Sequence, residues 1–139
     1  MILLDTSGLL AAIDASQRQH AACAKVLRNA RGPLVLSPFV LAELDYLLVS
    51  RVSVEAELAF LGEVARGAYS VDPFGANDVE VASSVIEKYR ELEIGVADAS
   101  IVVLAQRHGV RDLLTLDERH FRVVRRLNGR PFRLLPADI

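Results

Sequence analysis

Apolar runs too short to make helices alternate along this chain with longer stretches of helical period. That alternation limits the fold more than any other feature. Residues 2–4, 34–36, 69–71, 113–116 and 132–135 read as short strands. Between them, apolar side chains recur at helical spacing over residues 8–13, 17–30, 38–50, 53–66, 76–92 and 97–108. Residues 117–121 read as a short turn or helix. Ser16 stands where it can cap the segment 17–30, and Ser37-Pro38 opens a helix with serine at the cap and proline in the first turn. Gly32-Pro33, Gly67, Gly95, Gly109 and Pro136 supply the breaks. Strands that alternate with helices predict an α/β fold whose sheet is mostly parallel and covered on both faces. In such sheets ligands bind beyond the carboxyl ends of the strands, where the strand order reverses.

A length of 139 residues fits a single domain, able to bury roughly 68–70% of its unfolded surface without staples. The one cysteine, Cys23, excludes an internal disulfide, suits a reducing compartment and is expected in the core. No apolar run reaches the roughly 18 residues of a membrane span. The early acid Asp5 and the lack of basic residues before it argue against a signal peptide. A cytoplasmic protein is expected. Charge is unevenly spread: residues 107–133 hold eight arginines against Asp112, Asp117 and Glu118, whereas the preceding part is net acidic. Guanidinium groups bind phosphate and carboxylate as a fork, so this segment suits such partners, or else forms a solvated surface. No G-x-G-x-x-G, P-loop or G-x-S-x-G occurs. His20, His108 and His120 show no metal-ligand spacing, and His20 and His108 read as solvated helix-end residues.

Four acids stand out by position. Asp5 follows the first apolar run, Asp98 opens the segment 99–105, Asp117 follows the run 113–116, and Glu43 lies within the helix that starts near Ser37. Each has an ordinary role available: Asp5 and Asp117 as helix caps, Asp98 in a helix first turn, Glu43 on a solvated face. Convergence of all four at one crevice makes a site for a hard divalent cation such as Mg²⁺, which takes carboxylate oxygens and keeps several waters.

Four blocks then occur in order: I-L-L-D-T-S-G-L-L-A (2–11), V-L-S-P-F-V-L-A-E-L-D-Y-L (35–47), I-G-V-A-D-A-S-I-V-V-L-A (94–105) and L-L-T-L-D-E-R-H-F (113–121). With them the chain resembles the PIN-domain ribonucleases, and within them the VapC toxins of type II toxin–antitoxin pairs. The resemblance implies a single PIN domain over residues 1–139, folded as a three-layer α/β/α sandwich. It implies that Asp5, Glu43, Asp98 and Asp117 are the catalytic and metal-binding acids, with Thr6 and Thr115 as supporting polar residues. It further implies an Mg²⁺- or Mn²⁺-dependent endoribonuclease acting on a tRNA or rRNA loop, with one or two metals left open.

A VapB-type antitoxin and a homodimer are the partners the resemblance implies. The helix 38–49 is apolar nearly all round, which fits either a fully buried helix or one that faces a partner. On the second reading Phe39, Leu44, Leu47 and Leu48 are the expected antitoxin or dimer interface. Arg119, Arg122, Arg125 and Arg126 follow Asp117 closely and are expected to grip RNA. Two other functions fit less well. One is a PIN-type nuclease of RNA processing outside any toxin pair. The other is a non-catalytic Mg²⁺-binding receiver domain, which lacks its lysine here, since Lys25 and Lys88 both fall in helices.

Overall fold

Five strands pair side by side, all parallel, in the order β3-β2-β1-β4-β5 in the computed structural model, which describes residues 1–139. They are β1 (Ile2–Leu4), β2 (Leu34–Leu36), β3 (Ser70–Val71), β4 (Asp112–Leu114) and β5 (Arg133–Leu135). The helices are α1 (Thr6–Ile13), α2 (His20–Asn29), α3 (Pro38–Arg51), α4 (Val54–Ala65), α5 (Ala76–Lys88), α6 (Val96–His108) and α7 (Glu118–Phe121). Every residue of β1 is buried. Neighbouring strand residues point to opposite faces, so this central strand is covered on both sides. The result is the expected α/β/α sandwich, with a sheet that is wholly parallel.

The chain builds outward from β1 to β2 and β3, then returns across the sheet to place β4 on the other side of β1. The order therefore reverses between β1 and β4. The two strand ends diverge there and leave a crevice. Register across this pair sets Leu3 opposite Leu113 and Leu4 opposite Leu114. The residues that follow, Asp5 and Thr115, consequently emerge side by side.

Two local devices hold the crevice in shape. Gly8, in the first turns of α1, lies so close to β4 that a Cβ built on it would stand 2.7 Å from Leu114 Cγ and 2.8 Å from Leu114 O. No residue with a side chain fits there without a shift. Ser37 caps α3 as expected, its Oγ accepting from Phe39 N at 3.1 Å. The same hydroxyl meets Ser100 Oγ of α6 at 2.7 Å in the buried interior. One serine thus starts α3 and ties it to α6, the two helices that carry Glu43 and Asp98.

The core confirms most of the pattern and corrects part of it. Residues 99–105 of α6 are all buried, so α6 is the helix enclosed on every side. α3 buries only the stripe Val40, Leu44 and Leu48, at the i, i+4 spacing of one face. Leu44 and Leu48 have no exposed surface; contrary to the interface expectation, they belong to this chain's own core. Leu47 and Phe39 are half-buried, and Phe39 packs edge-on against Phe74 with ring centroids 5.1 Å apart. Cys23 is buried and free, as expected. Ser16 does not cap a helix: it hydrogen-bonds Asp14 through both its amide and its hydroxyl, and α2 begins only at His20. α5 stops at Lys88, and residues 90–92 continue as a single 3₁₀ turn ended by Glu93 at φ 53°.

Candidate active site

Asp5 occupies the cap position of α1, yet its side chain makes no capping hydrogen bond. It turns instead toward β4. Its Oδ2 accepts from Thr115 Oγ1 at 2.6 Å and from Ser7 Oγ at 2.9 Å. Ser7 Oγ in turn accepts from Leu116 N at 3.0 Å, and Thr115 Oγ1 accepts from Asp117 N at 2.9 Å. These four bonds stitch the loop after β1 to the loop after β4 and fix the carboxylate from behind. Burial pushes the Asp5 carboxyl above its usual range, while the hydroxyls of Thr115 and Ser7 pull it back.

Asp117 does act as a cap. Its Oδ1 accepts from His120 N at 3.0 Å at the start of α7. That bond leaves Oδ2 facing the ring of the same residue, with His120 Nδ1 2.9 Å away. Asp98, in the first turn of α6, approaches from the other side, its Oδ2 3.6 Å from His120 Nδ1. Ligand atoms of Asp98, Asp117 and His120 lie within 4.8 Å of one another. Glu43 is exposed on α3, and its charge reaches Asp98.

The electrostatics tie the four acids together. Asp98 holds its proton up to about 7; burial is the main cause, and the charges of Asp5, Asp117 and Glu43 add to it, with His120 opposing. Asp5 and Asp98 are thus both pushed toward their protonated forms, by burial first and by neighbouring carboxylate charge second. His120 Nδ1 is enclosed and, although close to two carboxylates, aligned with neither as a hydrogen bond. Thr6 is buried with its Oγ1 unpartnered. Carboxylate oxygens and an imidazole nitrogen are donors a divalent cation takes, so the grouped side chains of Asp98, Asp117 and His120 fit such an ion.

The arrangement has the sequence relatives it suggests. Residues 2–127 match the PIN domain family. Ribonuclease VapC26 of Mycobacterium tuberculosis is 46% identical over 135 residues, spanning 97% of this chain and all of that protein. This chain is a PIN-domain protein of the VapC ribonuclease family. The VapC fold is also seen in solved structures. VapC20 of M. tuberculosis, described as a toxin that cleaves the sarcin–ricin loop, superposes with a TM-score of 0.83 at 22% identity, covering 94% of this chain and all of that one. VapBC2 of Rickettsia felis, solved with a DNA fragment from its promoter, gives 0.66 at 19% identity over 96% of this chain and 98% of that one.

Within this VapC chain the other candidate residues divide. Thr115 is buried and joins Asp5 to Asp117. Arg122 is not free to grip a phosphate: it forks onto Asp138 at 2.7 and 2.8 Å and onto Glu118 at 2.8 Å. The guanidinium holds Asp138 down at about 2. Arg126 is half-buried and folds back toward Val110 O at 3.5 Å. Arg119 and Arg125 are exposed and form no ion pair. The remaining histidines are not simply solvated either. His20 Nδ1 lies 2.8 Å from Ala11 O, and His108 Nε2 contacts Asp72 beside Arg107.

Sequence reasoning missed His120 and the structural part of Ser7. A search for paired histidines passes over a lone one. The available signal was an acid at a helix cap followed by histidine three residues later, a spacing that returns the third residue's side chain to the cap.

Proposed function

We propose that this chain is the toxin of a type II toxin–antitoxin pair and an endoribonuclease that depends on Mg²⁺ or Mn²⁺. The observation that carries the proposal is the convergence of Asp5, Glu43, Asp98 and Asp117 at the β1–β4 crevice, where burial first and then the charges of the other three acids raise Asp98 to about 7. Membership of the VapC family and the ribonuclease name of its 46% identical relative support it. The antitoxin reading draws on the toxin–antitoxin complexes among its structural neighbours, such as VapBC2.

Asp5, Asp98 and Asp117 would hold the cation, with Glu43 completing the pocket. A bound divalent cation supplies neutralisation of the scissile phosphate and a lowered pKa for an attacking water. The chain's own residues do the rest. The hydroxyls of Thr115 and Ser7 keep the Asp5 carboxylate aimed at the crevice. Asp117 or Glu43 orients the water that attacks in line. Arg119 and Arg125 supply free guanidinium groups for backbone phosphates outside the pocket. An RNA loop or single strand fits this work because its backbone is reachable.

No helix is long and apolar enough to cross a membrane. α3 and α4 expose Tyr46, Val49, Val54 and Leu58, with Val52 between them. These residues, together with half-buried Phe39 and Leu47, are the surface we assign to a VapB-type antitoxin or to a second copy in a homodimer.

The test is incubation of purified, antitoxin-free protein with total bacterial RNA in Mg²⁺, in Mn²⁺ and in EDTA, beside Asp98→Asn. Discrete fragments that need metal and vanish in the variant are expected. Cleavage at wild-type rate by a folded Asp98→Asn protein would sink the proposal.

A further inference from the structure

We infer that His120 is a nitrogen ligand of the cation site, and that the site therefore prefers Mn²⁺ to Mg²⁺. The inference rests on the metal-dependent reading above and adds to it a ligand outside the four acids.

The geometry is specific. His120 Nδ1 lies 2.9 Å from Asp117 Oδ2 and 3.6 Å from Asp98 Oδ2. Ligand atoms bound to one ion at about 2.1 Å stand about 3–4 Å apart, and both distances from Nδ1 match that spacing, with all three groups within 4.8 Å of one another. An imidazole kept there only as a counter-charge would aim an N–H along a carboxylate lone pair. Nδ1 does not: it is enclosed and has no aligned hydrogen-bond partner. The position is also built rather than incidental. Asp117 Oδ1 takes the His120 amide at 3.0 Å, and this one cap bond sets the acid and the ring face to face. The four-residue helix α7 lets the chain present both ligands within a single turn.

The consequence for the metal follows from ligand chemistry. An oxygen-only pocket suits Mg²⁺, which holds its waters and takes carboxylates. An imidazole nitrogen moves the preference toward first-row transition ions, of which Mn²⁺ is the one closest to Mg²⁺ in its taste for oxygen. A mixed set of two carboxylates and one imidazole therefore fits Mn²⁺ better.

The experiment uses metal-free wild-type protein, His120→Gln and Asp98→Asn, each first checked for folding by thermal melting. Binding of Mn²⁺ and Mg²⁺ is measured by calorimetry, and the Mn²⁺ complexes are examined by electron spin-echo envelope modulation. The wild type should show a coupled nitrogen that disappears in His120→Gln. Its affinity for Mn²⁺ should exceed that for Mg²⁺ and fall about tenfold or more in His120→Gln, with Mg²⁺ binding little changed. Mn²⁺ bound without nitrogen coupling, or a variant that weakens both ions equally, would overturn the ligand role while leaving the acidic metal site standing. Failure of the wild type to bind either ion would remove the inference together with the metal-dependent reading. A preserved nitrogen signal in His120→Gln would assign the coupling to another residue and equally refute it.

Discussion

Asp98 carries the electrostatic strain of the pocket, and its consequence for stability has a definite sign. Its carboxyl ionises near 3.8 in the open chain and near 7 in the folded protein. Between those values the folded state keeps a proton that the unfolded state has lost, so stability of the metal-free protein falls as pH rises from about 4 to 7. Each tenfold change in proton affinity between the two states is worth about 1.4 kcal/mol. Relaxation of the pocket and sharing of the proton among the acids leave an expected gain of about 1–2 kcal/mol for metal-free Asp98→Asn at pH 8. Denaturant melts at pH 4 and pH 8 check this, and an equal effect at both would contradict it. Thr115→Val tests the other fixed acid. It removes the 2.6 Å bond to Asp5 and the acceptor for Asp117 N, and should lower cleavage about 10–100-fold while the fold survives. At this scale the four acids were legible because each follows or opens an apolar run, or lies within one. His120 was not, because its role depends on where one short turn points its ring.

At the level of elements, the strands and helices were legible in type, and the differences lie at their ends. The helix read as 76–92 stops at Lys88 because tertiary anchors compete with its period. Tyr89 Oη accepts from Arg125 N at 3.0 Å, and Ile94 sinks into the core. Neither partner is adjacent in sequence, so no periodic pattern contains them. The surplus apolar character of α3 had two readings, and the structure divides it between a core stripe and an exposed face. Two changes probe how elements position the site. Gly8→Ala forces α1 away from β4, and overpacking of this kind costs about 1–3 kcal/mol. It should also depress cleavage, since Asp5 and Ser7 move with α1. A variant as stable and active as wild type would show that the close approach is not needed. Ser37→Ala removes both the α3 cap and the partner of Ser100. A loss of about 1–2 kcal/mol in chemical denaturation is expected.

For the whole molecule, the sequence shows an arginine-rich segment in a net acidic chain, and only the structure shows which of those charges are spent inside. Arg122 is held by Glu118 and Asp138, whereas Arg119 and Arg125 are free. Composition counts these arginines alike because pairing depends on a carboxylate sixteen residues away. Salt dependence of RNA binding separates them. Each phosphate contact on a single strand contributes about 0.7 to the slope of log affinity against log salt. An Arg119→Ala/Arg125→Ala double variant should reduce the slope by about 1–1.5. Arg122→Ala should leave it unchanged, and a flattened slope there would return that residue to the RNA-binding surface.

The hydrogen bond between Asp5 and Thr115 joins residues 110 positions apart. Ribosomes deliver a chain from its N-terminus at about 5–20 residues per second. β1 is the middle strand of the sheet, and it must wait beside β2 until β4 has left the exit tunnel. Before then the Asp5 carboxylate has neither the hydroxyl that aims it nor Asp117 as a neighbour. A nascent chain therefore lacks the assembled cluster we propose as the cleavage site, and a ribosome making this protein completes that stretch before the proposed site exists.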